Sequence, residues 1–125
     1  MNELILLVDD EPSIIQLARL YLEREGFRIQ SVNDGEAALE NIACEQPALV
    51  VLDVMLPGRN GYDVCQTIRG EPGGRDIKII MLTAKGRDVE MNKGLSIGAD
   101  LYITKPFSTQ ELVAKINGLL GVGTA

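Results

Sequence analysis

Four apolar runs in this 125-residue chain each deliver polar side chains immediately afterwards. Leu4 to Val8 leads into Asp9, Asp10 and Glu11, and Ala48 to Leu52 leads into Asp53. Ile77 to Leu82 leads into Thr83 and Ala84, and Leu101 to Ile103 into Thr104, Lys105 and Pro106. If these runs are parallel strands of one sheet, all of these residues gather along one edge. Three carboxylates brought together repel one another and raise one another's pKa unless a cation joins them, and hard oxygen ligands at that density suit Mg2+. Mg2+ also keeps waters and takes phosphate oxygens, so such a cluster opposite a Lys and a Thr reads as a site for handling a phosphoryl group. Helix capping accounts for Asp9 or Asp10 ahead of Pro12, but not for Asp53, whose carboxylate is costly to desolvate at the end of an apolar run. Taken singly, Lys105 reads as a solvated charge and Thr83 as a β-branched strand residue. Agreement among four strand ends is what gives them weight.

The elements that must position these residues follow from periodicity. Continuous apolar runs of five or six residues are strands buried on both faces. Phe27 to Val32 reads as a further strand, second in chain order. Between the strands, Pro12 to Glu25 carries Ile14, Leu17, Ala18, Tyr21 and Leu22 at spacings of three and four, with Pro12 at the first helical position and Gly26 past the end. Asp34 caps a second helix containing Ala37, Ala38, Leu39 and Ile42, closed off by Pro47. Gly61 to Arg69 is a third, broken by the Gly70 to Gly74 cluster. Gly86 to Ile97 is a weaker fourth, with Gly94 inside it, and Ser108 with Glu111 forms a capping box for the last. Strand and helix thus alternate, which calls for an α/β fold: a parallel (βα)5 sheet with helices on both faces and its ligand site beyond the carboxyl ends of the strands.

Composition removes whole classes of function. Hydrophobic residues make up 46% and charged residues 24%, which describes one folded domain and excludes a disordered chain. With no His, neither a Ser-His-Asp triad nor His-ligated zinc is available. Twelve Lys and Arg against 18 Asp and Glu give a net charge of −6, which opposes direct nucleic-acid binding. Cys44 and Cys65 form no CxxC pair and fit a reducing cytoplasm. No apolar run reaches the length of a signal-peptide core or a membrane span, so the chain is expected to begin near Met1 and to stay off the membrane.

From about Glu3 to Leu120 the chain resembles the receiver domain of bacterial two-component response regulators. The matching motifs are Val8-Asp9-Asp10-Glu11, Leu52-Asp53-Val54-Met55-Leu56-Pro57-Gly58, Leu82-Thr83-Ala84, and Gly98-Ala99-Asp100 leading to Tyr102-Ile103-Thr104-Lys105-Pro106-Phe107. The resemblance implies a flavodoxin-like sheet of strand order 2-1-3-4-5, with residues 1–121 as the domain and 122–125 as a flexible tail. It implies that Asp53 accepts a phosphoryl group from a phosphohistidine on a sensor histidine kinase or phosphotransfer protein. Asp9, Asp10, Asp53 and the Met55 backbone carbonyl would hold Mg2+, with Mn2+ able to substitute. Lys105 would pair with a phosphoryl oxygen, and Thr83 would bond the phosphoryl group and open space for Tyr102 to rotate. The Lys105-Pro106 bond is a candidate cis peptide, as in many family members, and Gly58 and Gly61 allow the turn beneath Asp53 with amides turned to the phosphate.

Rival readings fare worse. An aspartate-nucleophile phosphatase needs a second acid two residues after the nucleophile, where this chain has Met55, so turnover on outside substrates is not expected. A flavodoxin-type cofactor binder needs a hydroxyl- and Gly-rich loop after the first strand, where Asp9, Asp10 and Glu11 would repel phosphate. A receiver-like module that binds proteins without phosphorylation would not need every signature position intact. For output, Val89 to Ile103 and the last helix would form the responsive face and contact a downstream protein. That face resembles the dimerising face of receivers in winged-helix transcription factors, where Lys93, Asp100 and Glu111 suit cross-subunit salt bridges. Leu101 and Lys115 depart from the pattern in place of Asp and Arg, which leaves at most a weak homodimer. With no effector domain after Leu120, the chain is read as a stand-alone regulator.

Overall fold

The computed structural model describes residues 3–84 and 98–121. In chain order these form β1 (Leu4–Val8), α1 (Pro12–Arg24), β2 (Arg28–Val32), α2 (Gly35–Glu45), β3 (Leu49–Asp53), α3 (Gly61–Gly70), a 3-10 turn (Gly74–Asp76), β4 (Lys78–Ala84), β5 (Leu101–Lys105) and α4 (Thr109–Leu120). All strand pairs are parallel, in the order β2-β1-β3-β4-β5, which is the flavodoxin-like arrangement. The expected helix at Gly86 to Ile97 lies outside the described residues, as do Lys93 and the tail after Gly121.

Alternation along each strand builds two cores. Ile5, Leu7, Leu49, Val51, Ile80, Leu82 and Ile103 pack with Ala18 and Leu22 of α1 and Leu112 and Ile116 of α4. Leu6, Val8, Val50, Leu52, Ile79 and Met81 pack on the opposite face with Ala38 and Ile42 of α2 and Val64 and Ile68 of α3. Central β1 and β3 are buried at every position, as continuous apolar runs require. The edge strands differ: only Ile29 of β2 and Ile103 of β5 are fully buried, because one flank of each has no neighbouring strand.

Local signals set the helix ends. Asp34 Oδ1 accepts the Ala37 N–H at 2.8 Å, and Ser108 Oγ accepts the Glu111 N–H at 3.0 Å. Asn60 caps α3 in the same way, accepting from the Asp63 N–H at 3.0 Å. The capping role expected of Asp9 or Asp10 is not what Asp9 does: its Oδ1 accepts the N–H of Glu11, the N-cap residue itself, at 3.0 Å. That bond tightens the β1–α1 turn and leaves the first helical amides alone.

At the end of the sheet away from the acidic residues, Arg69 ties α3 to the entrance of β5. Its guanidinium donates to the carbonyls of Gly98 (2.9 Å), Gly74 (2.7 Å) and Ile77 (2.6 Å) and pairs with Asp100 Oδ2 at 2.8 Å. The same Asp100 oxygen accepts the Ile79 N–H at 2.8 Å. Asp100 is therefore engaged within its own chain through Oδ2. The planar fork of Arg69 satisfies three main-chain carbonyls and one carboxylate at once, which holds Asp100 inward.

Candidate functional site

Parallel register brings the carboxyl ends of β1, β3, β4 and β5 to one edge. Val8 pairs with Leu52, so Asp9 follows beside Asp53; Asp53 pairs with Leu82, one residue before Thr83; and Ala84 pairs with Lys105. By strand alternation Asp9, Asp53 and Lys105 belong to the α1/α4 face, while Thr83 and Tyr102 belong to the α2/α3 face.

Asp9, Asp10 and Asp53 each offer a carboxylate oxygen within 4.8 Å of the others. Asp9 and Asp53 are buried at 2% and 4% exposure, whereas Asp10 is exposed and opens the cluster to solvent. Lys105 Nζ lies 3.0 Å from Asp9 Oδ2, 3.1 Å from Asp53 Oδ2 and 3.1 Å from Glu11 Oε1. Asp53 Oδ1 accepts the Met55 N–H at 3.1 Å, which fixes the carboxylate against its own loop. Burial pushes the Asp53 carboxyl upward, the Met55 N–H opposes that rise, Asp9 adds to it and Lys105 works against it; burial prevails. Burial alone would lower the Lys105 pKa, but its bonds and attraction to Asp9 and Asp53 outweigh this and raise it, so the ammonium is firmly charged. Thr83 is 2% exposed, and its hydroxyl has no hydrogen-bond partner among the described residues. A buried hydroxyl in that state costs free energy unless a ligand oxygen meets it.

The loop beneath Asp53 is shaped by two glycines. Gly58 has φ +76°, a left-handed conformation that side chains disfavour. A Cβ on Gly61 would collide with the Asp53 carbonyl oxygen and lie 2.9 Å from Val54 Cα, so the start of α3 can press against the end of β3 only without a side chain. Met55 sits at the mouth, 58% exposed. Tyr102 is half-buried and packs against the α2/α3 core, and the Lys105-Pro106 bond is cis.

Of the residues singled out from sequence for this site, Asp9, Asp10, Asp53, Thr83 and Lys105 lie along this edge, whereas Tyr102 pairs with Met81 further into the sheet. The contact of Glu11 with Lys105 was not foreseen, since 94 positions separate the two and no short pattern joins them. A cleft of about 320 Å³ adjoins the site, lined by Glu11, Ile14, Leu17, Ala18, Lys105, Pro106, Phe107 and Thr109. Next to it α1 presents Leu17, Leu20 and Tyr21 at 50%, 47% and 36% exposure, an unusual apolar stripe for a helix otherwise amphipathic.

Comparison with known proteins agrees with this arrangement. The response regulator receiver domain family matches residues 5–117. Over 120 residues the chain is 45% identical to the alkaline phosphatase synthesis transcriptional regulatory protein PhoP of Bacillus subtilis and 44% identical to the DNA-binding response regulator MtrA of Mycolicibacterium smegmatis. Those alignments cover 96% of this chain but 49% and 51% of the relatives, so the chain spans about half their length. Among solved structures, the receiver domain of sensor histidine kinase PA1611 from Pseudomonas aeruginosa PAO1 superposes with a TM-score of 0.88 at 30% identity, covering 98% of this chain and 100% of that one. That structure holds a magnesium ion coordinated in its active site cleft. With a family match across nearly all of its length, the chain belongs to the response regulator receiver domains of two-component signalling.

Proposed function

We propose that this receiver accepts a phosphoryl group on Asp53 from a phosphohistidine of a histidine kinase or phosphotransfer protein. The observation that carries the reading is the convergence of Asp9, Asp10 and Asp53 with the Lys105 ammonium and the buried Thr83 hydroxyl, which has no hydrogen-bond partner among the described residues. In the transfer, an Asp53 carboxylate oxygen forms a bond to phosphorus as the phosphorus–nitrogen bond of the donor breaks, leaving an aspartyl phosphate and a free imidazole. The residues present fit Mg2+ or Mn2+: Asp9, Asp10, Asp53 and the Met55 carbonyl would be its ligands, and it would neutralise charge on the transferring oxygens. Lys105, already 3.1 Å from Asp53, turns to a phosphoryl oxygen once Asp53 carries the phosphoryl group. The Thr83 hydroxyl donates a hydrogen bond to another. Because Thr83 and Tyr102 share the α2/α3 face, movement of Thr83 toward the phosphoryl group vacates space on the side where Tyr102 already packs.

The donor is expected to dock over the apolar stripe of Leu17, Leu20 and Tyr21, of which Leu17 lines the cleft beside Lys105. Output runs through protein contact on the face containing β5 and α4, and the net charge of −6 sets this domain apart from any nucleic-acid-binding role. The chain does not turn over outside substrates, since exposed Met55 offers no acid or base beside Asp53. Intact-mass spectrometry after incubation with acetyl phosphate tests the reading. One phosphoryl adduct that requires Mg2+ and is lost in Asp53→Asn supports it; an unmodified wild type, or an equal adduct in the variant, contradicts it.

A further inference from the structure

Glu11 occupies the N-cap position of α1, yet its side chain accepts no helix amide. Its carboxylate reaches the Lys105 ammonium instead, Oε1 to Nζ at 3.1 Å. The three carboxylates around that ammonium are not equivalent: the side chains of Asp9 and Asp53 are 2% and 6% exposed, whereas Glu11 is 55% exposed and stands at the mouth. Asp9 and Asp53 also belong to the acid cluster; Glu11 does not.

An ammonium and a divalent cation repel each other and compete for the same oxygens. Asp9 Oδ1 and Asp53 Oδ1 already accept the Glu11 and Met55 N–H groups, so a cation in the cluster competes with Lys105 for the two Oδ2 atoms. The Lys105 side chain is only 18% exposed, so losing both partners with no third would strand a charge in a poorly hydrated place. We propose that Glu11 is a positioning residue that receives Lys105 in this exchange, holding the ammonium at the mouth while Asp9 and Asp53 turn to the cation. Lys105 then remains one side-chain movement from the place where a phosphoryl oxygen arrives. The inference rests on the reading of the acid cluster as a divalent-cation site.

A simpler role, in which Glu11 merely adds negative charge near the cation, makes a different prediction when Lys105 is absent. The test is Mg2+ affinity by isothermal titration calorimetry on the full chain, for wild type, Glu11→Gln, Lys105→Met and the double variant, with circular dichroism to confirm that each is folded. Lys105→Met is expected to tighten Mg2+ binding. Glu11→Gln is expected to weaken it about tenfold when Lys105 is present and less than about twofold when it is not, a coupling in the range found for residues in contact. Equal losses in both backgrounds, or no loss in either, overturn the exchange role. Absence of Mg2+ binding by the wild type overturns the cation site itself, and so separates failure of the underlying reading from failure of this inference.

Discussion

Asp53 must be both buried and charged, and its surroundings resolve the conflict only in part. Burial raises its pKa more than the Met55 amide and Lys105 lower it. A carboxyl whose folded pKa exceeds its unfolded value binds its proton more tightly in the folded state. Its contribution to stability is therefore full below the unfolded pKa and is lost as pH rises through the folded one, so at neutral pH the ionised group works against folding. Asp53→Asn removes that charge while Lys105 keeps Asp9 and Glu11 as partners. In metal-free buffer at neutral pH the variant is expected to have the higher Tm, with the difference shrinking as pH falls into the carboxyl range; thermal unfolding followed by circular dichroism across pH checks it. At this scale the sequence was informative where chemistry follows an apolar run, as at Asp9, Asp53, Thr83 and Lys105. It was silent on Glu11, because that ion pair depends on how far two long side chains reach across the closed fold.

The elements were legible to the degree that each is self-contained. β1, and β3 up to Asp53 at its end, are apolar because both of their faces and both of their flanks are covered. The reading of β5 as Leu101 to Ile103 stopped short because the strand continues through polar Thr104 and Lys105, whose place in the sheet comes from pairing with Thr83 and Ala84 rather than from local propensity. The Arg69 latch had no signal at all: its partners lie on the 3-10 turn, at the head of β4 and before β5, and meet only once α3 has packed. Arg69→Ala leaves Asp100 without its cation and three carbonyls without a donor. It is expected to cost about 2 kcal/mol, set by hydrogen bonds to a charged group in a partly exposed pair. A urea titration with an unchanged m-value and a lower midpoint is the expected result, whereas an unchanged midpoint would mean that water replaces the latch at no cost.

At the scale of the whole molecule, the chemistry is concentrated at one end of the sheet and the Arg69 fastening at the other. Three carboxylates meet at a single edge of a chain with a net charge of −6, and the one ammonium of Lys105 offsets their repulsion only in part. A cation that binds only the folded state stabilises it by RT ln(1 + [L]/Kd), about 1.4 kcal/mol at ten times the Kd. Such an increment raises Tm by about 5 °C in a domain of this size. Mg2+ is therefore expected to raise Tm by that amount in wild type and by much less in Asp10→Ala, as read by thermal unfolding.

The central claim is that the phosphoryl group lands on Asp53, and borohydride reduction tests it most directly. The protein is treated with acetyl phosphate and Mg2+, reduced, digested and sequenced by tandem mass spectrometry, because hydride converts an acyl phosphate of Asp to homoserine. The account predicts homoserine at position 53 and at no other carboxylate. Homoserine at Asp9 or Asp10, or an unreduced Asp53 in protein that carries the phosphoryl adduct, would contradict it.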